Sequence, residues 1–154
     1  MRRERAFTVI ELLVTLAILG VLSVIVLPLA ELTVQRSREA ELRQALQQLR
    51  AALDAYKLAY DEGRIARQLG ASGYPPSLDA LVEGVEDVAQ AQKTKQYFLR
   101  RVPRDPFQKE EGPPRWGLRS YRSSATAPEA GDDVFDVYSL STGVGLDGTA
   151  YRQW

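Results

Sequence analysis

The apolar positions of the chain follow two different patterns. From Phe7 to Ala30 the sequence is apolar on every side of a helix, broken only by Glu11 and the small hydroxyls of Thr8, Thr15 and Ser23. Leu12 to Ala30 carries no charge. A bilayer-spanning helix needs roughly 20 apolar residues, so this run is long enough to span. After Glu31 the pattern becomes amphipathic. Leu42, Leu46, Leu49, Leu53, Tyr56 and Tyr60 recur at 4-3-4-3-4 spacing, one stripe of a helix. Arg43, Gln44, Gln47, Gln48, Arg50 and Asp54 fill its other face. Such a stripe fits a coiled-coil seam, but a polar C-terminal half that must be covered favours packing on a small sheet. Anchor and stem together predict one helix of about fifty residues, near 75–80 Å long. Gly63 is the expected stop.

Beyond the stem the elements are short. Ala71-Ser72-Gly73-Tyr74-Pro75-Pro76 reads as a loop, and Ser77 as the cap of a helix from Leu78 to about Val82. Gln90 to Arg100 reads as a further helix. Val102 to Phe107 contains two prolines and is expected to be extended. Trp116–Ser123 and Val134–Ser141 are rich in aromatic and branched residues and predict strands. The polar stretch Ser124–Asp133 connects them. The expected fold is α+β: a long N-terminal helix, part anchor and part stem, packed on an antiparallel sheet of two to four strands.

Composition narrows the function classes. Lys plus Arg total 20 and Asp plus Glu total 20, so the net charge is zero. A nucleic-acid partner held by bulk charge is excluded, because phosphate neutralisation needs a basic excess. The chain has neither cysteine nor histidine. Disulfides and thiolate metal sites are ruled out, and the commonest general base is missing. No glycine-rich phosphate loop or pair of catalytic acids stands out, and the chain is not expected to be an enzyme.

The head Met1-Arg2-Arg3-Glu4-Arg5-Ala6 is basic, which holds the N terminus in the cytoplasm and sends the rest outward. An ordinary secretory signal fits poorly, because the apolar run is long and feeds directly into more helix. A plain signal anchor leaves Glu11 unexplained. An acid near a membrane helix is costly, and by default it has a functional partner.

These residues carry a family resemblance. Ala6-Phe7-Thr8-Val9-Ile10-Glu11-Leu12-Leu13 resembles the prepilin peptidase site of type IV pilins and type II secretion pseudopilins. Gly20 and Pro28 sit where helices of that family carry a glycine and a proline. Tyr74-Pro75-Pro76-Ser77-Leu78-Asp79-Ala80-Leu81, then Pro103-Arg104-Asp105-Pro106-Phe107, then Asp136-Val137-Tyr138-Ser139-Leu140, are similar to the major, G-type pseudopilin. The resemblance implies a leader over residues 1–6, a transmembrane and filament-core helix over 7–30, and a periplasmic pilin-like domain over 31–154. It implies cleavage after Ala6 and methylation of the new Phe7 amine. Ala6 stands where the family usually has glycine, and cleavage is expected to persist because alanine is nearly as small.

Further expectations follow from the same resemblance. In a filament, the Glu11 carboxylate would meet the Phe7 ammonium of a neighbour. The helix between Gly20 and Pro28 would either bend harmlessly or melt when the subunit leaves the membrane. The partners would be copies of the chain, other pseudopilins, prepilin peptidase and the inner-membrane assembly platform. A type IV pilus subunit for adhesion, motility or DNA uptake is the alternative within the class. A signal-anchored binding domain or enzyme is the alternative outside it. G-type pseudopilins usually bind calcium after the last strand, yet Asp147 is the only acid between Ser141 and Thr149. The Leu140 carbonyl and Asp147 are the candidate ligands, a weak set for an ion that wants six to eight oxygens. No other cofactor is expected. Asp132, Asp133 and Asp136 read as solvated loop acids, and Trp154 as the closure of a hydrophobic edge.

Overall fold

The computed structural model describes residues 7–90 and 94–154, except for the side chains of residues 24–28. The leader, Ala6 included, and the Pro28 side chain therefore lie outside the described residues. Contacts divide the chain into two compact units, Met1–Ser37 and Arg38–Trp154.

Helix α1, Val9–Asp61, is 53 residues long and contributes to both units. Between Glu31 and Glu62 it contains no glycine or proline and is dense in Leu, Ala, Gln and Glu, the strong helix formers. Its end is a Schellman motif. Arg64 N–H donates to the Ala59 carbonyl at 2.9 Å and Gly63 N–H to the Tyr60 carbonyl at 3.0 Å. Gly63 takes the left-handed φ of 75° that this turn requires.

In the Arg38–Trp154 unit the predicted stripe is the core. Leu42, Leu46, Leu49 and Leu53 are at most 2% exposed. Ala45, Ala52, Tyr56 and Ala59 line the same face and are buried. Against them pack Ile65, Leu81, Leu99, Trp116, Val134, Val137 and Tyr151. Each fully buried leucine of this kind stabilises the fold by about 1.5–3 kcal/mol. The stripe is therefore the inner face of a domain, as expected over the coiled-coil alternative.

Helix α2, Leu78–Glu83, begins as predicted, with Ser77 Oγ accepting the Ala80 N–H. Two pairs of short strands follow. Strands β1 (Val85–Glu86) and β2 (Lys95–Gln96) are antiparallel, with Val85 opposite Gln96. Strands β3 (Gly117–Arg119) and β4 (Asp136–Tyr138) are also antiparallel, with Leu118 opposite Val137. A single 3-10 turn, Tyr151–Gln153, ends the chain before Trp154. The fold is α+β as expected, but the sheet is two separate ladders. The two strands predicted from composition shrink to three residues each.

One element differs in kind. Of the helix expected from Gln90 to Arg100, residues 91–93 lie outside the described residues, and among the described ones no helix forms and Lys95–Gln96 is a strand. Two backbone donors that a helix would have used, Phe98 N–H and Leu99 N–H, both go to the Leu81 carbonyl at the end of α2. Leu99 is buried in the core while Tyr97 stays exposed, a placement set by tertiary packing rather than by local propensity.

Segments distant in sequence are joined by buried polar ties. Asp105, 2% exposed, accepts the Phe107 N–H at 2.8 Å and the Ser139 hydroxyl at 2.5 Å. Trp116 Nε1 donates to the Pro103 carbonyl at 2.9 Å, and Val134 N–H to the Pro75 carbonyl at 2.8 Å. The three motifs similar to G-type pseudopilins thus meet around one helix. Two of the acids expected to be solvated are structural. Asp136 accepts Arg50 Nε at 2.9 Å and Arg119 Nη2 at 3.2 Å, and Asp133 accepts the Tyr121 N–H at 2.8 Å. They lie beside unpaired backbone donors and guanidinium groups that need an anion.

The turn after α1 is fixed by an ion pair between the buried Asp87 and the half-buried Arg64. Arg64 Nε and Nη2 donate to Asp87 Oδ2 at 3.1 and 3.0 Å, and Ala89 N–H donates to Oδ1 at 3.0 Å. Burial pushes the Asp87 carboxyl up, but Arg64, Ala89 and Gln90 outweigh it and hold it below the ordinary aspartate value. A depressed folded-state pKa contributes stability at neutral pH, and that stability is lost as pH falls through the lowered value. Asp87→Asn should therefore lower the melting temperature at pH 7. The gap to the unaltered chain should narrow below about pH 4, where the unfolded carboxyl also protonates. Thermal melts across pH 2 to 7 check this.

Candidate functional site

Two places carry the chemistry predicted from sequence: the start of α1 and the loop that follows β4. At the start of α1, Thr8 N–H and Thr8 Oγ1 both donate to Glu11 Oε2 at 3.0 Å. Glu11 N–H donates back to Thr8 Oγ1 at 3.3 Å. This is a capping box, with Thr8 as the cap residue and Glu11 three positions later. It satisfies backbone donors that have no partner inside the helix, and it places a negative charge at the positive end of the helix dipole. Glu11 is therefore a helix-capping group in the single subunit, a role that sequence position alone did not reveal. The Thr-x-x-Glu spacing was the available signal.

Apolar side chains then cover the helix on all sides. Phe7, Ile10, Leu13, Leu16, Leu19 and Val21 are each at least 60% exposed. The hydroxyls in this stretch turn back onto their own helix. Thr15 donates to the Leu12 carbonyl at 2.9 Å, Ser23 to Leu19 at 2.8 Å and Thr33 to Leu29 at 2.9 Å. A helix that is apolar all round is one that other apolar matter covers. Among the described residues no helix is long and apolar enough to cross a membrane, and the apolar side chains at 24–28 lie outside that set. Helix α1 runs through Gly20 and Pro28 without interruption. A Cβ added at Gly20 would meet nothing within 4 Å.

After β4, the loop from Ser141 to Thr149 closes on itself. Gly145 N–H donates to the Thr149 carbonyl at 2.8 Å, and Tyr151 N–H to the Gly143 carbonyl at 3.1 Å. Val144 and Ala150 form a bridge. Asp147 Oδ1 accepts the Thr149 N–H at 2.9 Å, and its other oxygen lies 3.9 Å from Arg43 Nη2. A further acid, missed from sequence, enters from α1. Glu39 is 3% exposed, and its Oε1 accepts the Leu146 N–H at 2.9 Å and the Tyr151 hydroxyl at 3.1 Å. Its signal was the stripe itself. Glu39 lies three residues before Leu42 and continues the 4-3 spacing backward.

This donor set does not fit calcium. Asp147 is committed to a backbone N–H and faces a guanidinium. Glu39 accepts hydrogen-bond donors where a calcium site would present oxygens. Among the described residues no group of three or more acids, histidines or cysteines could hold a metal ion. Trp154 does close the edge as expected, edge-on to Tyr151 at 5.1 Å between ring centres.

Comparison with known proteins bears on both ends. The family described as the prokaryotic N-terminal methylation motif matches residues 1–27. Type II secretion system core protein G of Klebsiella pneumoniae is 31% identical over 111 residues, covering 70% of this chain and 71% of that protein. The chain belongs to the core protein G family of pseudopilins. No solved structure matches it. The methylation motif spans Phe7, Thr8 and Glu11, so the capping box lies inside the matched segment.

Removing the cap should be measurable. Thr8→Ala deletes the side-chain partner of both Glu11 and its backbone N–H. N-cap losses cost about 0.5–2 kcal/mol. Amide exchange at residues 9–12 of the full chain in micelles should speed up by about twofold to thirtyfold.

Proposed function

We propose that this chain is a structural, non-enzymatic subunit of a periplasmic pseudopilus that drives type II protein secretion. The observation that carries the reading is its relation to core protein G over 111 residues. In this reading the residue 7–30 helix anchors the precursor once in the inner membrane, and the C-terminal domain stands in the periplasm. Prepilin peptidase cuts between Ala6 and Phe7, removing three arginines and one glutamate, and the new amine is methylated. The methylation motif over residues 1–27 supports this processing. The subunit then assembles with its own copies and other pseudopilins on the inner-membrane platform.

Glu11 has a defined part. Its carboxylate already points at its own N-terminal turn, where Thr8 donates to it. The Phe7 ammonium of a neighbouring subunit is the partner that cancels its charge in the apolar filament core. Removing one member of a buried pair costs roughly 3–5 kcal/mol, because the survivor is left uncompensated. The pair then fixes register more than it adds stability.

Two measurements test the reading. Intact mass of the protein from native membranes should show a chain that starts at Phe7 with a methylated amine. A chain that keeps Met1, or starts beyond Ala30, would contradict it. Glu11→Ala should still be inserted and cleaved, yet its yield in sheared filaments should fall at least about tenfold, given the cost of an unpaired buried charge. Glu11→Gln should fall between. Native-level assembly by Glu11→Ala would remove the pairing mechanism.

A further inference from the structure

The loop after β4 has its polarity reversed relative to a calcium site. A calcium-holding loop turns carbonyl and carboxylate oxygens toward one centre of positive charge. Here the loop turns donors inward. Leu146 N–H and the Tyr151 hydroxyl converge on one oxygen of a buried carboxylate, Glu39 of α1. One turn further along α1, Arg43 Nη2 lies 3.9 Å from Glu39 Oε2 and 3.9 Å from Asp147 Oδ2. The same guanidinium sits 4.2 Å over the Trp154 ring. It stands between two carboxylates, one from the helix and one from the loop, where it supplies the positive charge.

Packing requires this closed form. A Cβ at Gly145 would come within 2.5 Å of the Trp154 ring and 2.8 Å of Asp147 Oδ1. A Cβ at Gly143 would come within 2.9 Å of the Tyr151 ring. Phe107 stacks on the other side of Tyr151 at 4.1 Å, which ties the loop to the Pro103–Phe107 segment. A buried carboxylate is tolerated only when it is hydrogen-bonded or paired, and Glu39 gains both.

We propose that Glu39 and Arg43 of α1 form a built-in clamp that holds the C-terminal loop in this chain without a metal ion, Glu39 binding the loop's donors and Arg43 replacing the cation. Neither residue belongs to the processing or assembly segment, so the clamp stands or falls independently of filament formation.

The test uses the full-length protein in detergent micelles. Thermal melts with millimolar calcium, and with chelator in its place, should superimpose. A rise with calcium or a fall on chelation would overturn the metal-free clamp. Glu39→Gln keeps the size but withdraws the charge from Leu146 and Tyr151. Charged hydrogen bonds contribute enough that the melting temperature should drop by roughly 5–15 °C. Amide exchange should accelerate at residues 143–151 ahead of the rest of the domain. Unchanged exchange there would overturn the role of Glu39. If Glu39→Gln does not fold, Arg43→Met carries the test, because that half-exposed side chain can keep its contact with Trp154 while losing its charge. It should accelerate exchange over the same residues, and exchange like that of the unaltered chain would overturn the clamp.

Discussion

Burial of one face of α1, from Leu42 to Ala59, is the interaction on which the rest of the domain depends. Among the described residues no other element is long enough to organise a core. Helix α2 has six residues and each strand has two or three. Isolated ladders this short are not stable in water, so they persist only because Leu81, Leu99, Val134 and Val137 find the helix face. Register follows from the same constraint. Val137 is 0% exposed, and a slip of one residue would turn it to solvent and bring a polar neighbour inward. Gly117 adds a local lock, since a Cβ there would come within 2.2 Å of the Tyr138 ring opposite.

The apolar face fixes where segments lie, and polar ties decide which segments meet. Arg50 sits beside the stripe and reaches three partners: Asp136 Oδ1 at 2.9 Å, the Trp154 carbonyl at 2.6 Å and the Val137 carbonyl at 3.3 Å. Such donors are rigid and directional, and they penalise any competing arrangement that leaves a buried acceptor unmade. Glu39 and Arg43 extend the same row of polar contacts toward the N-terminal end of the domain's helix. The loop after β4 is therefore held by the side chains of α1, and its closure is tied to formation of the helix that also supplies the core.

What was legible in the sequence was whatever a single helix period or a single cap decides. The stripe, the stop at Gly63 and the Ser77 cap all depend on neighbours within four residues, and all are found. The processing motif is equally local, although Ala6 itself lies outside the described residues. The errors lie where distant groups decide. Gln90 to Arg100 has helix-forming residues, yet the Leu81 carbonyl claims the donors of Phe98 and Leu99. Asp136 looked like a solvated acid until Arg50, 86 positions away in sequence, was brought beside it. Glu39 was hidden for a related reason. A charged residue on an apolar stripe reads as an interruption unless its partners, here more than a hundred residues away, are known.

The two ends of α1 meet one requirement by different routes. A polar group withdrawn from water must find a partner. Near the N-terminal end these described polar side chains find local partners: Thr8 and Glu11 satisfy each other, and Thr15, Ser23 and Thr33 bond to carbonyls three or four residues back. Local satisfaction is the condition that an apolar solvent imposes, because nothing in hydrocarbon can supply a hydrogen bond. In the stem, Glu39 and Arg50 instead reach partners contributed by the rest of the domain. The change from local to distant partners follows the change in apolar pattern along the sequence, from all-round to one-sided. The same helical backbone is thus prepared for two surroundings, one of which the chain itself provides.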